Sequence, residues 1–450
     1  MTRHDLMRLA PVLLGTMIVP LDSAVNVAFP AIAGAFGLEV PAIQWVVICY
    51  VLTYGSLMLA VGRIGDIFGH ARVFRAGLAW SAVAFLACAL APDYGALLVA
   101  RVLQGIGAAL VIGCGPALAT LLFPEAMRAR TLAAYATAFA AGTALGPLLG
   151  GVLVQGLGWE AVYWIRTPIA LAALLLLWRA PVAPVPQRRE NFDAIGALLF
   201  TATVATLLLA VNRAPSLLAL GLAAVAFACL AGFLWQSGRS ARPIIDLGLF
   251  HRPGFAALNL ANMLVNLASF AVMLVGPFYL ARVAGLPAVL LGLVLAAAPL
   301  GGMLGSSLGG WAAGRFRARA VVLAGAALTS AGLLAVTQWG ATTPAALLVA
   351  ALAVQGVGVG LFTLAYADVV TATMRREDRG VAGSLTMLTR TLGVVTAASL
   401  LTLLFGGTEA ALLGAGAVAE DAFLGAFRRV FLVAGLLPLA ALVLVARLRP

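Results

Sequence analysis

Two ionisable residues stand where a membrane chain can least tolerate them. Asp22 lies within "TMIVPLDSAVNVAFPAI", residues 16 to 32, and Arg101 opens "RVLQGIGAAL", residues 101 to 110; both stretches belong to apolar runs long enough to cross a bilayer. A carboxylate at bilayer depth costs roughly 2.5–3.5 kcal/mol when ionised, even on the lenient insertion scale, so it is kept for a reason. It can be paired permanently with a cation as part of the structure. Alternatively it can exchange protons, because apolar surroundings favour the neutral acid and a nearby guanidinium favours the carboxylate, so a group moving between the two takes up and releases a proton. Arg101 is the cation best placed to serve either purpose, and the other spans of the N-terminal half lack a mid-depth charge.

The elements that must hold these residues are membrane helices. The chain has 450 residues, 63% of them hydrophobic and 10% charged, and a mean hydropathy of +1.08. A water-soluble domain of this size would not tolerate such a composition, and repeated apolar runs of roughly 20 residues indicate an all-α integral membrane bundle, not a barrel of alternating strands. The first run has no small-x-small cleavage site and is read as a span, not a signal peptide. Fourteen spans are expected: 9–33, 41–61, 73–91, 96–121, 132–155, 161–178, 194–212, 217–236, 255–280, 288–312, 320–339, 345–369, 382–405 and 428–446. The segment 406–427 then forms the longest outside loop, with room for a short surface helix.

A net charge of +12 could suggest a nucleic-acid partner. The arginines instead cluster in alternate connections, as the positive-inside bias requires, and place both termini in the cytoplasm. Inside connections carry Arg63, Arg72, Arg75, Arg128, Arg130, Arg188, Arg189, Arg239, Arg242, Arg252, Arg375, Arg376 and others. Arg213, Arg282, Arg428 and Arg429 fall outside, while Arg101, Arg166 and Arg390 fall within spans. Arg166, in "WEAVYWIRTPIA", lies a turn or two from the outer boundary beside Trp159, Tyr163 and Trp164, where it is expected to snorkel to the surface. Asp368 and Arg390 form a possible second ion pair. Cys49, Cys88, Cys114 and Cys229 lie inside apolar runs without metal or disulfide spacing and read as small core residues.

The chain also repeats itself. "VLQGIGAAL" at 102–110 matches "AVQGVGVGL" at 353–361 at an offset of 251 residues, which also aligns Arg128 with Arg379 and Gly142 with Gly393. Two homologous six-span halves follow, residues 1–180 and 255–450, joined by a segment, 181–254, that holds two additional spans. Parallel halves with a site between them near the midplane are a secondary-transporter plan.

Four motifs in order, "LDSAVNVAFPAI", "GRIGDIFGHARVF", "RVLQGIGAAL" and "GTALGPLLGGVL", resemble the series of the major facilitator superfamily, and look most like its fourteen-span drug:proton antiporters. The resemblance covers nearly the whole chain. It implies proton coupling through Asp22 and Arg101, with protons as coupling ion and no cofactor. It implies a cytoplasmic latch at Gly62, Asp66 and Gly69, weakened here because Ile67, His70 and Ala71 replace usually basic positions. It also implies an antiporter motif at Gly142, Gly146, Pro147, Gly150 and Gly151, which tilts transport toward export. The glycines at 142, 146 and 150 bare one helix face for close approach, and a second stripe at Gly301, Gly305 and Gly309 is expected to meet it between the halves.

Asn26, Gln44, Trp45, Tyr50 and Tyr54, with Asn259, Asn262, Asn266 and Met273, supply a plausible cavity lining, though the asparagines could equally bond neighbouring helices. Such walls suit neutral, monocationic or zwitterionic amphipathic molecules. No phosphate-binding loop marks a primary pump, and His4, His70 and His251 have no metal-spaced partners. The expected protein is thus a monomeric transporter of the plasma membrane, not an enzyme, working on a small molecule, protons and the bilayer, with no nucleic acid. The alternative is an importer or exporter of one specific metabolite or natural product.

Overall fold

In hydrocarbon each backbone group must be satisfied within the protein, so the apolar runs can only close their own hydrogen bonds as helices. The computed structural model describes residues 3–179, 193–212, 216–240, 248, 254–313, 315–372 and 379–446. The connections expected at 181–192 and 241–253, apart from Gly248, lie outside the described residues, as do Arg188, Arg189, Arg213, Arg242, Arg252, Arg375 and Arg376. The described residues contain α1 (Arg3–Met17), α2 (Ala24–Ala35), α3 (Gln44–Phe68), α4 (His70–Ala89), α5 (Tyr94–Leu121), α6 (Arg128–Leu157), α7 (Ala161–Trp164) and α8 (Arg166–Arg179). They continue with α9 (Ala194–Asn212), α10 (Leu217–Arg239), α11 (Phe255–Arg282), α12 (Ala288–Ala313), α13 (Ala318–Val336), α14 (Ala345–Ala372), α15 (Arg379–Gly414) and α16 (Ala419–Ala446), and include no strand. Among the described residues thirteen stretches are long and apolar enough to cross a membrane, and the shorter apolar helix Ile195–Leu207 stands at the expected seventh span.

Three expected elements differ in outline. The first span is not one helix: α1 ends at Met17, and a 3-10 turn, Pro20–Ser23, intervenes before α2. Pro20 has no N–H for a bond to the preceding turn, and its ring crowds the carbonyl four residues back. Pro168 acts likewise in the sixth span, which breaks between Trp164 and Arg166. The loop expected at 406–427 is almost wholly helical: α15 runs on to Gly414 and α16 begins at Ala419, with Gly416 at φ 87° in the short connection and Glu420 and Asp421 favourably placed in the first turn of α16.

The chain divides into two units. The first comprises Met1–Phe36, Trp45–Ala205 and Ala226–Ile244; the second comprises Gly37–Gln44, Thr206–Val225 and Ile245–Pro450. Within the first, α4 packs on α5 and α8, and α6 packs on α1, α2 and the 3-10 turn. Within the second, α13 packs on α14 and α16, and α15 packs on α11. Equivalent positions of the repeat perform equivalent packing. Gly105 lies against Tyr50 and Thr53 of α3, and Gly356 against Ala298 of α12; Gly142 lies against Met17 and Pro20, and Gly393 against Met263 and Asn266.

Both glycine stripes are packed inside their own bundles. Each is filled by backbone of its own unit: Gly142, Gly146 and Gly150 face the segment from Met17 to Ala24, while Gly301 and Gly305 face Ala353 and Val357 of α14. Bare backbone packs wherever a helix can approach, and here the neighbour within the same bundle takes it.

Candidate functional site

The break in the first span decides where Asp22 points. Asp22 sits in the 3-10 turn, whose backbone is tied by Asp22 N–H donating to the Val19 carbonyl at 3.0 Å. The turn is held in place by α6: Ser23 Oγ donates to the Thr143 carbonyl at 3.1 Å.

Around the carboxylate three charged or polar side chains converge. Arg101 grips it with two parallel bonds, Nη1 to Oδ1 at 2.7 Å and Nη2 to Oδ2 at 2.8 Å. This fork geometry is among the stronger forms of ion pair. Gln104, one turn along α5 from Arg101, donates Nε2 to Oδ1 at 2.8 Å and accepts from Arg101 Nη1 at 2.8 Å. Arg101 Nε donates to the Val46 carbonyl of α3 at 2.8 Å, and its guanidinium lies 4.3 Å from the Tyr50 ring centroid.

The third group is Arg166, which does not snorkel. It is 1% exposed, and its Nη1 donates to Asp22 Oδ1 at 2.8 Å. Its Nε donates to the Val162 carbonyl at 3.0 Å, and its guanidinium lies 4.5 Å from the Phe85 ring centroid. The break before α8 turns the stem inward, and the half-buried carboxylate of Asp22 outweighs the aromatic belt as a destination. One carboxylate therefore serves two guanidiniums, and the cluster holds one formal positive charge in excess.

Two members escaped the sequence reading. Gln104 is three residues from Arg101 and so shares its helix face, a spacing that could have placed it beside Asp22. Arg166 was visible as a charge near a Pro-broken span, but nothing local tells the side chain which way to point.

The other candidates fall in different places. In the first unit Tyr50 is buried, and Tyr54, 5.3 Å away between ring centroids, is half-buried, as are Asn26 and Trp45. In the second unit the asparagine face is taken up by helix bonding. The Asn259 Oδ1 accepts from the Tyr366 hydroxyl at 2.9 Å, Asn262 Nδ2 donates to Thr389 Oγ1 at 2.8 Å, and Asn266 Nδ2 donates to the Asn262 carbonyl at 2.8 Å. Asn259 and Asn262 are buried, Asn266 and Met273 half-buried. Gln44 is buried and accepts from the Thr402 hydroxyl at 2.6 Å. Asp368 and Arg390 are both exposed.

The motif after α3 forms a one-residue corner. Gly69 alone separates α3 from α4, at φ 91°, ψ 123°, while Asp66 Oδ1 lies 3.1 Å from His70 Nε2 across the corner. That backbone region is nearly closed to side chains, so Gly69→Ala is expected to cost about 1–3 kcal/mol. Thermal unfolding of the purified variant checks it, and a midpoint unchanged from wild type would refute the strain. Gly62, whose added Cβ would meet nothing within 4 Å, is the matched control.

Known proteins share this architecture. A family model described as Major Facilitator Superfamily matches residues 12–257 and again residues 258–450. The multidrug resistance protein Stp of Mycobacterium tuberculosis (strain ATCC 25618 / H37Rv) is 30% identical over 403 residues, covering 87% of this chain and 74% of that protein. The tetracenomycin C resistance and export protein of Streptomyces glaucescens is 31% identical over 386 residues, covering 84% and 71%. The crystal structure of a bacterial homologue of the human lysosomal transporter Spinster, inward-facing and unoccupied, superposes with a TM-score of 0.71 at 16% identity, covering 99% of this chain and 97% of that one.

Proposed function

Because the chain belongs to the Major Facilitator Superfamily, we propose that this multi-pass inner-membrane transporter is a proton-coupled exporter of amphipathic small molecules, with Asp22 as the proton carrier. The observation that carries the reading is the half-buried carboxylate of Asp22 held by the buried guanidinium of Arg101. Resistance relatives support export as the direction.

Arg101, Gln104 and Arg166 together occupy both carboxylate oxygens of Asp22. Each of these donors favours the charged carboxylate, so a rearrangement of α5 or α8 against the 3-10 turn that withdraws them favours protonation. A coupling ion whose binding is linked to a helix shift suits alternating access. Export of one specific natural product is the second reading, favoured by the relative that exports tetracenomycin C.

The test uses everted membrane vesicles containing the wild-type protein and a panel of dyes and antibiotics. An acid-interior gradient is expected to drive uptake of at least one compound, and nigericin to stop it. Uptake that persists after the gradient has collapsed would remove proton coupling from the proposal.

A further inference from the structure

The cluster carries more positive charge and more donors than the protein uses. Arg166 Nη2 is buried without a hydrogen-bond acceptor among the described residues, and so is the hydroxyl of Tyr163. The Tyr163 ring centroid lies 5.5 Å from the Arg166 guanidinium and 5.9 Å from that of Arg101. Among the described residues Asp22 is the one carboxylate paired with either arginine. A buried guanidinium left without full compensation is strongly unfavourable, and buried polar groups are normally satisfied.

We infer that Arg166 Nη2, with the Tyr163 hydroxyl, receives an acidic group of the transported molecule, a carboxylate or similar monoanion, alone or as part of a zwitterion. The inference rests on the transporter reading above and names the substrate class of that same site. One negative charge neutralises the excess, Asp22 stays on Arg101, and the second arm of Arg166 gains its acceptor. The exposed edge of the cluster is Asp22 itself, whose side chain is 13% exposed. Half-buried Asn26 and Tyr54 belong to the same unit, and the Tyr50–Tyr54 ring pair offers an apolar wall for the body of such a molecule. A cation meets the same excess charge as repulsion, so the monocations admitted by the sequence reading become the disfavoured class.

Binding is measured on the purified protein in detergent, by thermal unfolding, with 2-naphthoate and 2-naphthamide as probes. They share a body and differ in the acidic group. The acid is expected to bind about tenfold or more tightly than the amide, as befits a hydrogen bond to a charged donor. Arg166→Gln should lower the acid to the level of the amide, and Arg166→Lys should retain part of the preference. Equal affinities in the wild type, or a preference that survives Arg166→Gln, would overturn the inference. So would sodium chloride matching the effect of 2-naphthoate at equal concentration, which would assign the site to a small inorganic ion. If Arg166→Gln does not fold, the wild-type pair and Arg166→Lys decide. No gradient enters the measurement, so failure of proton-driven efflux and failure of acid recognition are separate results.

Discussion

Asp22→Asn destabilises the protein by about 3–5 kcal/mol, the usual cost of removing one partner from a buried ion pair, and abolishes gradient-driven efflux. Asparagine keeps the size of the side chain but removes the charge that two buried guanidiniums share. Thermal unfolding of the purified variant reads the first effect and vesicle uptake the second. The cause is identified by a cycle with Arg166→Gln. Removing Arg166 alone leaves Asp22 and Arg101 as a balanced pair, so its cost should be smaller, and the double variant should lose less than the two single losses together. A variant within about 1 kcal/mol of wild type would mean that the carboxylate is not the keystone of the cluster. Normal folding with normal uptake would send the search for the proton carrier elsewhere.

The second large effect is expected in α6, at the glycines that pack against the segment carrying Asp22. A Cβ on Gly150 would lie 2.8 Å from the Ala24 carbonyl oxygen and 2.9 Å from the Ala24 Cα, and one on Gly146 would run into the Ser23 hydroxyl. Backbone cannot yield as a flexible side chain can, so Gly150→Leu must push α6 off α2 and off the turn that carries Asp22. Overpacking of this kind costs about 1–3 kcal/mol and sometimes more. Efflux should fall with it, because Ser23, bonded to α6, follows Asp22 directly. Gly156→Leu, in the same helix with nothing within 4 Å of its added Cβ, is the control. If both variants unfold at the same temperature, the close approach is not what the motif is for.

These two predictions draw unequally on the sequence. The membrane helices, the repeat and the pairing of Asp22 with Arg101 could be read from composition, self-similarity and a shortage of alternative cations. The partner of the α6 glycines could not, because a small-residue stripe declares that something approaches and not what. The direction of Arg166 was lost for a similar reason. Its aromatic neighbours fit a surface belt, and only the break at Trp164–Arg166 together with a carboxylate 144 residues away turns it inward. The asparagines of α11 show the limit from the other side. Their spacing marks a shared face, but the tyrosine and threonine that occupy it come from α14 and α15.

The cluster also constrains how the protein is made. Synthesis runs from the N-terminus, so Asp22 reaches the bilayer 79 residues ahead of Arg101 and 144 ahead of Arg166. For that interval the first span carries an uncompensated polar group in a broken helix, and is the least self-sufficient segment of its unit. Its final seat exists only once the fourth and sixth spans have entered. The N-terminal bundle is therefore completed late, and a ribosome-stalled chain ending before residue 166 should leave its first span open to the insertion machinery and to membrane proteases.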